Sequence, residues 1–437
     1  MKTYLMNGAA ALALTAGAVS AGGLDRSGQS VMSVFSPDNT VTTTVGVVIP
    51  SFTGSDVAGS GGSGSYDVGE TYTQYGLSYT NALNDRFNYS VILDQPFGAD
   101  IDYNGNPLTD NLAGTSADLN STALSLVARY RLGDRISVFG GISAQRINAD
   151  VTLNGRSYTA AIGAPLALSG VARQLSAQTS STITAQTLAG ALAGQTTLDG
   201  VFGGLAGGNV AAGRNAVQTQ VNNVQNAFAT GGGYAFNLEN STKPNYFIGA
   251  AYEIPEIALR IAGTYRFETT HKADYSENFG GGLLTSSGSM EFKTPASFNL
   301  EAQTGIAKDT LLTFSYRWTD FSAVNIIPAT LGSDLVNLDD AERYTLGVAR
   351  RFSDKLAGSF TLSYEPKGDK LVSPLGPTNG LFGVSIGGQY TEGNLKISGG
   401  INYTRVGDAV AEVASVGVAN FKNNHLVGVG IKAEISF

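Results

Sequence analysis

The segment HLVGVGIKAEISF, from His425 to Phe437, alternates between apolar and small or polar residues almost without fault. Apolar residues hold nearly every second position, and Gly, Lys, Glu and Ser stand between them. Because successive side chains of a strand point to opposite faces, one face is apolar and the other is small or polar. Such a final strand, ending on an aromatic residue, is typical of bacterial outer-membrane β-barrels. We therefore expect the barrel assembly machinery to recognise Phe437.

The other end of the chain predicts export. Residues 1–21 contain Lys2, an Ala- and Leu-rich core from Ala9 to Val19, and a small-residue cleavage site at Val19-Ser20-Ala21. This pattern is that of a secretory signal peptide, so the mature protein should begin near Gly22. A transmembrane anchor is the weaker alternative because the apolar core is too short to cross a bilayer.

The composition excludes several classes of protein. After the signal peptide no stretch approaches the roughly 18 consecutive apolar residues of a spanning helix, so strands must cross the membrane. The chain lacks Cys, and no metal-ligand, phosphate-loop or dinucleotide motif suggests a cofactor. A formal charge of −8 argues against nucleic acid as a partner. The 56 Gly, 20 Phe and 19 Tyr suit closely paired strands with aromatic girdles.

Period-two alternation predicts fourteen strands, joined alternately by short and long connections. The strands span residues 40–53, 70–82, 86–95, 120–132, 135–153, 244–255, 257–273, 289–304, 310–322, 341–352, 355–365, 379–392, 394–406 and 421–437. The short turns are Asn84-Asp85, Gly133-Asp134, Pro255-Glu256, Ala307-Lys308-Asp309, Ser353-Asp354-Lys355 and Glu392-Gly393. This alternation predicts periplasmic turns, extracellular loops and both termini in the periplasm. A soluble β-sandwich is the alternative, but its turns would not alternate in length.

Alternation also separates a lipid face from a lumen face. From Leu312 to Trp318, large apolar residues alternate with Thr, Ser and Arg. An Arg or Lys that faces lipid at mid-depth costs roughly 2–4 kcal/mol, so the charged strand residues should point inward, mostly in salt bridges. Those expected inside are Arg129, Arg260, Arg266, Glu268, Glu301, Arg317, Arg343, Lys396, Lys432 and Glu434.

One strand breaks this pattern. Up to Ala144 its apolar residues hold even positions, but beyond Gln145 they hold odd positions, from Ile147 to Val151. A β-bulge near Gln145-Arg146 would restore the two faces and turn Arg146 into the lumen.

Three segments resemble the FadL/TodX family of outer-membrane transporters of long-chain fatty acids and other hydrophobic compounds. They are LDQPFGADIDY (Leu93 to Tyr103), TPASFNLEAQTGIAKDTLLTFSYRWTDFS (Thr294 to Ser322) and AERYTLGVARRFSDKLAGSFTLSYEP (Ala341 to Pro366). The resemblance covers essentially the whole mature chain. It implies an all-β, transmembrane antiparallel barrel of fourteen strands, with a short N-terminal hatch in the lumen and a long, partly helical extracellular loop.

The resemblance also assigns parts of the chain. It implies that residues 22–39 form the hatch and residues 40–437 the barrel; Ser36-Pro37-Asp38 lies where the family tends to carry Asn-Pro-Ala. It further implies that the third strand kinks at Pro96-Phe97-Gly98 and opens a lateral gap. Proline gives no N–H to the strand ladder and glycine bends easily. From the residues alone, Pro96 could equally end the strand at its loop.

The longest connection, Asn154 to Lys243, is poor in charge and far longer than an ordinary loop. Several of its apolar residues recur at the spacing of short amphipathic helices. They are Leu188, Leu192, Val217, Val221, Val224 and Phe228. The resemblance implies that such helices form a greasy extracellular groove that captures ligand. Alternatively, these stripes only hold the loop onto the barrel rim.

Taken together, these patterns favour a monomeric outer-membrane transporter. It would take up long-chain fatty acids or similar hydrophobic molecules past lipopolysaccharide and release them sideways into the membrane lipid. Arg146, with Arg317 and Arg343, would hold a ligand carboxylate. Aromatic or alkane hydrocarbons are the alternative ligands, and a diffusion porin or a structural or adhesive surface barrel is the alternative function. We expect no enzyme, because His271 and His425 have lipid-facing parity and no partners for a triad.

Overall fold

The computed structural model describes residues 24–369 and 371–437, so the predicted signal peptide lies outside the described residues. Within them, fourteen antiparallel strands close into one barrel, in which β14 pairs with β1. The strands are β1 (Thr40–Ser51), β2 (Tyr72–Asn84), β3 (Phe87–Asp94 and Gly98–Asp102), β4 (Ser116–Arg131), β5 (Ile136–Leu153), β6 (Tyr234–Ile254), β7 (Leu259–Arg266 and Thr269–Phe279), β8 (Leu284–Thr294 and Ser297–Ala307), β9 (Thr310–Thr319), β10 (Ala341–Arg351), β11 (Leu356–Glu365), β12 (Leu381–Glu392), β13 (Leu395–Val406) and β14 (His425–Ser436).

The predicted barrel of fourteen strands is confirmed, and the six short turns join neighbouring strands at one rim. The largest error in a boundary concerns β6, which begins at Tyr234 rather than near residue 244. The long loop therefore ends ten residues earlier than predicted. Strands β3, β7 and β8 each contain an interruption of two or three residues, and these interruptions shape the site described below.

The outer surface of the barrel wall is apolar, as the alternation predicts. Leu124, Ile248 and Ile401 are exposed on it. The lumen-facing residues include Arg129, Arg260, Arg266 and Arg317, all buried. Within the predicted inward set, salt bridges join Arg343 to Glu365 and Lys396 to Glu434, and Glu301 accepts a hydrogen bond from Ser30. Glu268 is the exception, because it is exposed and pairs with Lys293 at 2.9 Å.

Two neighbouring strands are longer than a membrane requires. β5 has 18 residues and β6 has 21, whereas roughly 9–11 tilted residues span a bilayer. In their upper halves the polarity of the two faces is reversed: Ile147 and Val151 are buried inside, and Arg146 and Asp150 are exposed outside. Since water rather than lipid meets the outer face above the bilayer, apolar residues there belong inside.

The N-terminal segment from Leu24 to Asn39 lies inside the barrel. It contains a single turn of 3-10 helix, Met32–Phe35. Val34 and Phe35 pack against buried residues of the lower wall, among them Phe139 and Phe247. This apolar packing within the lower barrel supports the predicted hatch.

Above the barrel, the long loop folds into four main helices with an apolar core of their own. The helices are α1 (Ala164–Thr179), α2 (Ala185–Leu192), α3 (Asp199–Leu205) and α4 (Val210–Thr230). No helix in residues 24–369 and 371–437 is long and apolar enough to cross a membrane. A five-stranded sheet joins shorter segments of other loops. Its strands are Thr53–Asp56, Ser65–Asp67, Leu371–Val372, Ala409–Val413 and Val416–Phe421.

Candidate functional site

An apolar cavity lies in the upper lumen, between the hatch and the extracellular loops. Phe97 of β3, Ile147 of β5, Phe236 of β6 and Phe292 of β8 line its walls, and Leu24 of the hatch lies below. Its empty space is about 780 Å³ when the open solvent at its mouth is included. Its predominantly apolar lining suits the apolar body of a hydrophobic molecule.

The cavity is apolar because β5 continues without a bulge where one was predicted. Its pairing with β4 runs without a shift from Thr152 to Ser137, so the bulge at Gln145-Arg146 is wrong. The register does shift between β5 and β6, from Ile147 to Ala149, where β6 carries the extra residue. Ile147 and Ala149 consequently face the cavity, and Arg146 faces outward, where its Nε donates to Asn240 Oδ1 at 2.7 Å. The sequence signal for this lining was the change of the apolar residues of β5 from even to odd positions beyond Gln145.

The two other arginines predicted to hold a carboxylate are engaged by the chain. Arg317 Nη2 donates to Asp25 Oδ1 of the hatch at 3.1 Å, and its Nη1 donates to Asn299 Oδ1 at 2.9 Å. Arg343 Nη2 donates to Glu365 Oε2 at 3.2 Å. These contacts agree with the predicted salt bridges within the lumen. Binding of a ligand carboxylate by either arginine stays a prediction.

Further polar contacts tie the hatch to the lumen wall. Ser30 Oγ donates to Glu301 Oε1 at 2.7 Å. In Ser36-Pro37-Asp38, Asp38 Oδ1 accepts from Asn88 Nδ2 at 3.1 Å. The hatch is thus held by Arg317, Glu301 and Asn88 of the wall, whereas Arg343 and Lys396 pair within the wall itself.

The wall is interrupted at Pro96-Phe97-Gly98, between β2 and β3. Pairing of β3 with β2 ends at Leu93, and beyond the interruption β3 continues in pairing with β4. Pro96 therefore lies within the strand and does not end it. The hatch segment from Leu24 to Arg26 pairs with the interrupted stretch: Pro96 O accepts from Arg26 N at 2.9 Å, and Gly98 N donates to Leu24 O at 2.9 Å.

The side chain of Arg26 closes this interruption. It forms a salt bridge with Asp100 of β3, and its guanidinium carbon lies 3.6 Å from the centre of the Tyr72 ring of β2. A Cβ at Gly98 would lie 2.5 Å from Arg26 Nε, so a larger residue at this position would displace the arginine side chain. Phe97, between the two halves of β3, lines the cavity and so places the cavity next to the interruption.

The apolar residues of the long loop are mostly buried between helices. Leu188, Val217 and Val221 lie in the shared core of the helices, with Leu192 and Val224 packed against it. Phe228 is fully buried in the core that joins α4 to the barrel. These side chains are covered by neighbouring helices, and only Phe228 packs onto the barrel, as the alternative of rim packing requires. Capture of ligand by this loop stays a prediction.

The two histidines face opposite sides of the wall. His425 points outward as predicted and stacks on Tyr403 with ring centres 5.6 Å apart. The prediction for His271 is wrong, because this residue is buried inside and stacks on Phe292 at 5.2 Å. The break in β7 at Phe267-Glu268 changes the parity of the strand, which the sequence pattern did not reveal.

Comparisons with known proteins agree with this architecture. The family model of outer membrane protein transport proteins (OMPP1/FadL/TodX) matches residues 30–426. Among curated proteins no sequence matches significantly. A FadL homologue of Pseudomonas aeruginosa is 13% identical, with 92% of this chain and 91% of that chain covered and a TM-score of 0.64.

Two transporters for an aromatic hydrocarbon are also similar in structure. The toluene transporter TodX of P. putida is 15% identical, with 93% of this chain and 92% of that chain covered and a TM-score of 0.56. The toluene transporter TbuX of Ralstonia pickettii is 12% identical, with 92% and 90% covered and a TM-score of 0.53. At these identities the likeness concerns the fold.

Proposed function

The chain belongs to the OMPP1/FadL/TodX family of outer membrane transport proteins, and we propose that it takes up hydrophobic small molecules through the cavity of its lumen. Its place is the bacterial outer membrane, as for the family. A role as a transporter and not an enzyme follows from the same membership.

The observation that carries this proposal is the apolar cavity above a packed hatch. Each CH₂ group moved from water into such a cavity gains roughly 0.8 kcal/mol, so hydrophobic molecules are concentrated there. A diffusion porin would instead need a continuous aqueous lumen. The packing of Val34 and Phe35 against Phe139 and Phe247 argues against such a lumen here.

The route has two ends. On the extracellular side the cavity is roofed by a loop that contributes Phe321, Ile326 and Leu335, and a ligand would enter past this loop. On the membrane side Phe97 joins the cavity to the interruption between β2 and β3. Lateral release there keeps the ligand out of the periplasmic water, because each CH₂ returned to water costs roughly 0.8 kcal/mol. Long-chain fatty acids and hydrocarbons both have the apolar body that this cavity requires.

Neighbouring residues on β5 provide the test. Ala149 faces the cavity, whereas Asn148 lies on the opposite face of the same strand. Ala149→Asp places an unpaired charge among apolar residues, where it opposes ligand binding. Asn148→Asp makes the same charge outside. We expect Ala149→Asp to abolish uptake of a labelled hydrophobic probe, and Asn148→Asp to retain it.

Assembly of both variants is checked by heat-modifiable mobility on gels. Equal uptake by the two correctly assembled variants would show that the ligand does not pass through this cavity.

A further inference from the structure

The barrel wall contains a second interruption, between β6 and β7. The lower ladder ends where Arg266 faces Phe247, and the upper ladder begins where Tyr275 faces Leu238. Between these points no backbone ladder joins β6 to β7. We call this region, residues 239–246 of β6 and 267–274 of β7, the seam. One backbone bond, from Phe267 N to Tyr246 O at 3.0 Å, marks its lower end.

Side chains, rather than a backbone ladder, hold the seam together. Asn245 Nδ2 donates to Phe267 O at 2.7 Å and to Thr269 Oγ1 at 2.8 Å. Ser241 Oγ donates to Lys272 O at 2.9 Å. A few side-chain hydrogen bonds, each with a modest net contribution, separate more readily than a continuous ladder. The seam is therefore a place where the wall can open while the barrel stays closed elsewhere.

The inner side of the seam carries three nitrogen groups without partners. Lys243 faces the same side as Gln145, its direct neighbour on β5, and has no salt bridge or side-chain hydrogen bond among the described residues. Gln145 Nε2 and His271 Nε2 are buried and also lack a partner within the described part of the chain. Lys243 is half-buried. Buried polar groups are normally hydrogen-bonded, so the two buried nitrogens of Gln145 and His271 beside this amine indicate a ligand site.

These groups adjoin the apolar cavity. Gln145 Oε1 accepts from Thr294 Oγ1 at 3.1 Å, and His271 stacks on Phe292. Both Thr294 and Phe292 line the cavity. A molecule in the cavity can therefore place its apolar body against Phe292 and its head at the seam.

The hydrogen-bonding roles define the head. Ser241 uses its one proton on Lys272 O, so its oxygen accepts from His271 Nδ1 at 3.3 Å. In the neutral ring His271 Nε2 is then an acceptor, whereas Gln145 Nε2 and Lys243 Nζ are donors. A hydroxyl group both donates and accepts, so it matches the three together, whereas an ionised carboxylate only accepts and matches the two donors, Gln145 Nε2 and Lys243 Nζ.

The outer side of the seam reaches the lipid boundary. Tyr246 and Phe267 are exposed on the outer face, and Phe267 packs edge-to-face on Tyr265 at 5.1 Å. Aromatic side chains of barrels gather at the membrane interface, where polar heads and apolar chains of lipids meet. An amphipathic molecule leaving here keeps its head at the polar interface and its body in the bilayer.

Resting on the proposed function, we propose that the seam is a second lateral portal, which passes molecules with an apolar body and a hydroxyl or carboxyl head. Lys243, Gln145 and His271 bind the head. The interruption between β2 and β3, lined by Phe97 and closed by Arg26, serves molecules without such a head.

Cross-linking tests the portal directly, because the chain has no Cys of its own. Asn245→Cys with Thr269→Cys, joined by a short reducible thiol cross-linker, fastens the seam. Ser125→Cys with Ser143→Cys fastens the intact ladder of β4 and β5, where the two hydroxyl oxygens lie 2.6 Å apart, and is the matched control. Each double variant in reductant is its own reference.

The probes are decanol, decanoate and decane, which differ only in the head. We expect fastening of the seam to abolish uptake of decanol and decanoate, to spare decane, and to be reversed by reductant. Fastening of the control ladder should spare all three. Unchanged uptake of decanol and decanoate through a fastened seam would overturn the portal, and equal loss of decane would overturn its selectivity for a head.

Binding provides a second readout. Lys243→Met should weaken binding of decanoate by purified protein about tenfold and leave decane unchanged, as expected for the loss of a charged donor. Equal weakening of both probes would overturn the assignment of Lys243. Failure of the proposed function is distinguishable, since Ala149→Asp would then leave uptake of every probe intact.

Discussion

Release of the hatch should turn the barrel into an open channel, and Asp25 is the residue to change. Asp25 is 2% exposed and pairs with Arg317, which is 7% exposed. Asp25→Asn leaves the guanidinium buried opposite a neutral amide. Loss of one partner from a buried ion pair costs roughly 3–5 kcal/mol.

This cost falls on the hatch and not on the barrel, because Arg317 regains water if the hatch leaves the lumen. The remaining anchors oppose departure. Val34 and Phe35 each gain roughly 1.5–3 kcal/mol from burial, and Ser30 adds a hydrogen bond to Glu301. The hatch also keeps the salt bridge from Arg26 to Asp100 and the backbone bonds to Pro96 and Gly98. A loss of roughly 3–5 kcal/mol therefore weakens the anchoring of the hatch without cancelling it, and we expect Asp25→Asn to raise the fraction of molecules with a displaced hatch by roughly two to four orders of magnitude.

Single-channel recording in planar bilayers measures that fraction. Wild type should show little ion conductance, and Asp25→Asn should show frequent openings of porin size. Asp38→Asn is the control, since this exposed hatch carboxylate accepts a single side-chain hydrogen bond within the described residues, from Asn88. Wild-type recordings from a correctly assembled Asp25→Asn variant would refute the view that this pair holds the hatch.

Three other changes test separate parts of the structure. Val221→Asp should lower the free energy of unfolding of the extracellular helices by several kcal/mol, because Val221 is 2% exposed. Asn222→Asp, at the exposed neighbouring position, should leave it unchanged, and proteolysis of intact cells compares the two variants. Arg26→Met should loosen the closure against Tyr72 and raise the rate of probe release into vesicle lipid without raising its affinity, and an unchanged rate would count against this closure. Arg146→Ala should leave the affinity for oleate unchanged in calorimetry, since the side chain of Arg146 faces outward. A clearly weaker affinity would show that Arg146 faces the lumen.

Most of the fold could be predicted from the sequence because the alternation recurs in fourteen strands and short turns alternate with long loops between them. The alternation of β14, from His425 to Ser436, is the same in sequence and structure. The prediction of which residues face the lumen failed where the outer face of a strand passes from lipid to water. In lower β5 the outer face meets lipid, so its apolar residues, such as Ile142, point outward; in upper β5 they point inward, as Ile147 does.

The site was less accessible to prediction for related reasons. Helical spacing identified the apolar side of α4 but not what covers Val221, since one apolar stripe serves equally for packing and for capture. The break in β7 that turns His271 inward depends on its neighbours in the sheet. Proline and glycine, in contrast, located the interruption at Pro96-Phe97-Gly98, because their backbone chemistry is local.

If hydrophobic molecules cross the barrel through a cavity that is closed to ions, probe transfer occurs without ion flux. Both quantities can be measured at the same time in the same proteoliposomes. We expect wild-type protein to transfer an external hydrophobic probe into the vesicle lipid while the vesicles stay tight to ions, and Ala149→Asp to abolish the transfer. Rapid ion flux through wild-type protein, with probe transfer no faster than in protein-free vesicles, would contradict transfer through such a cavity.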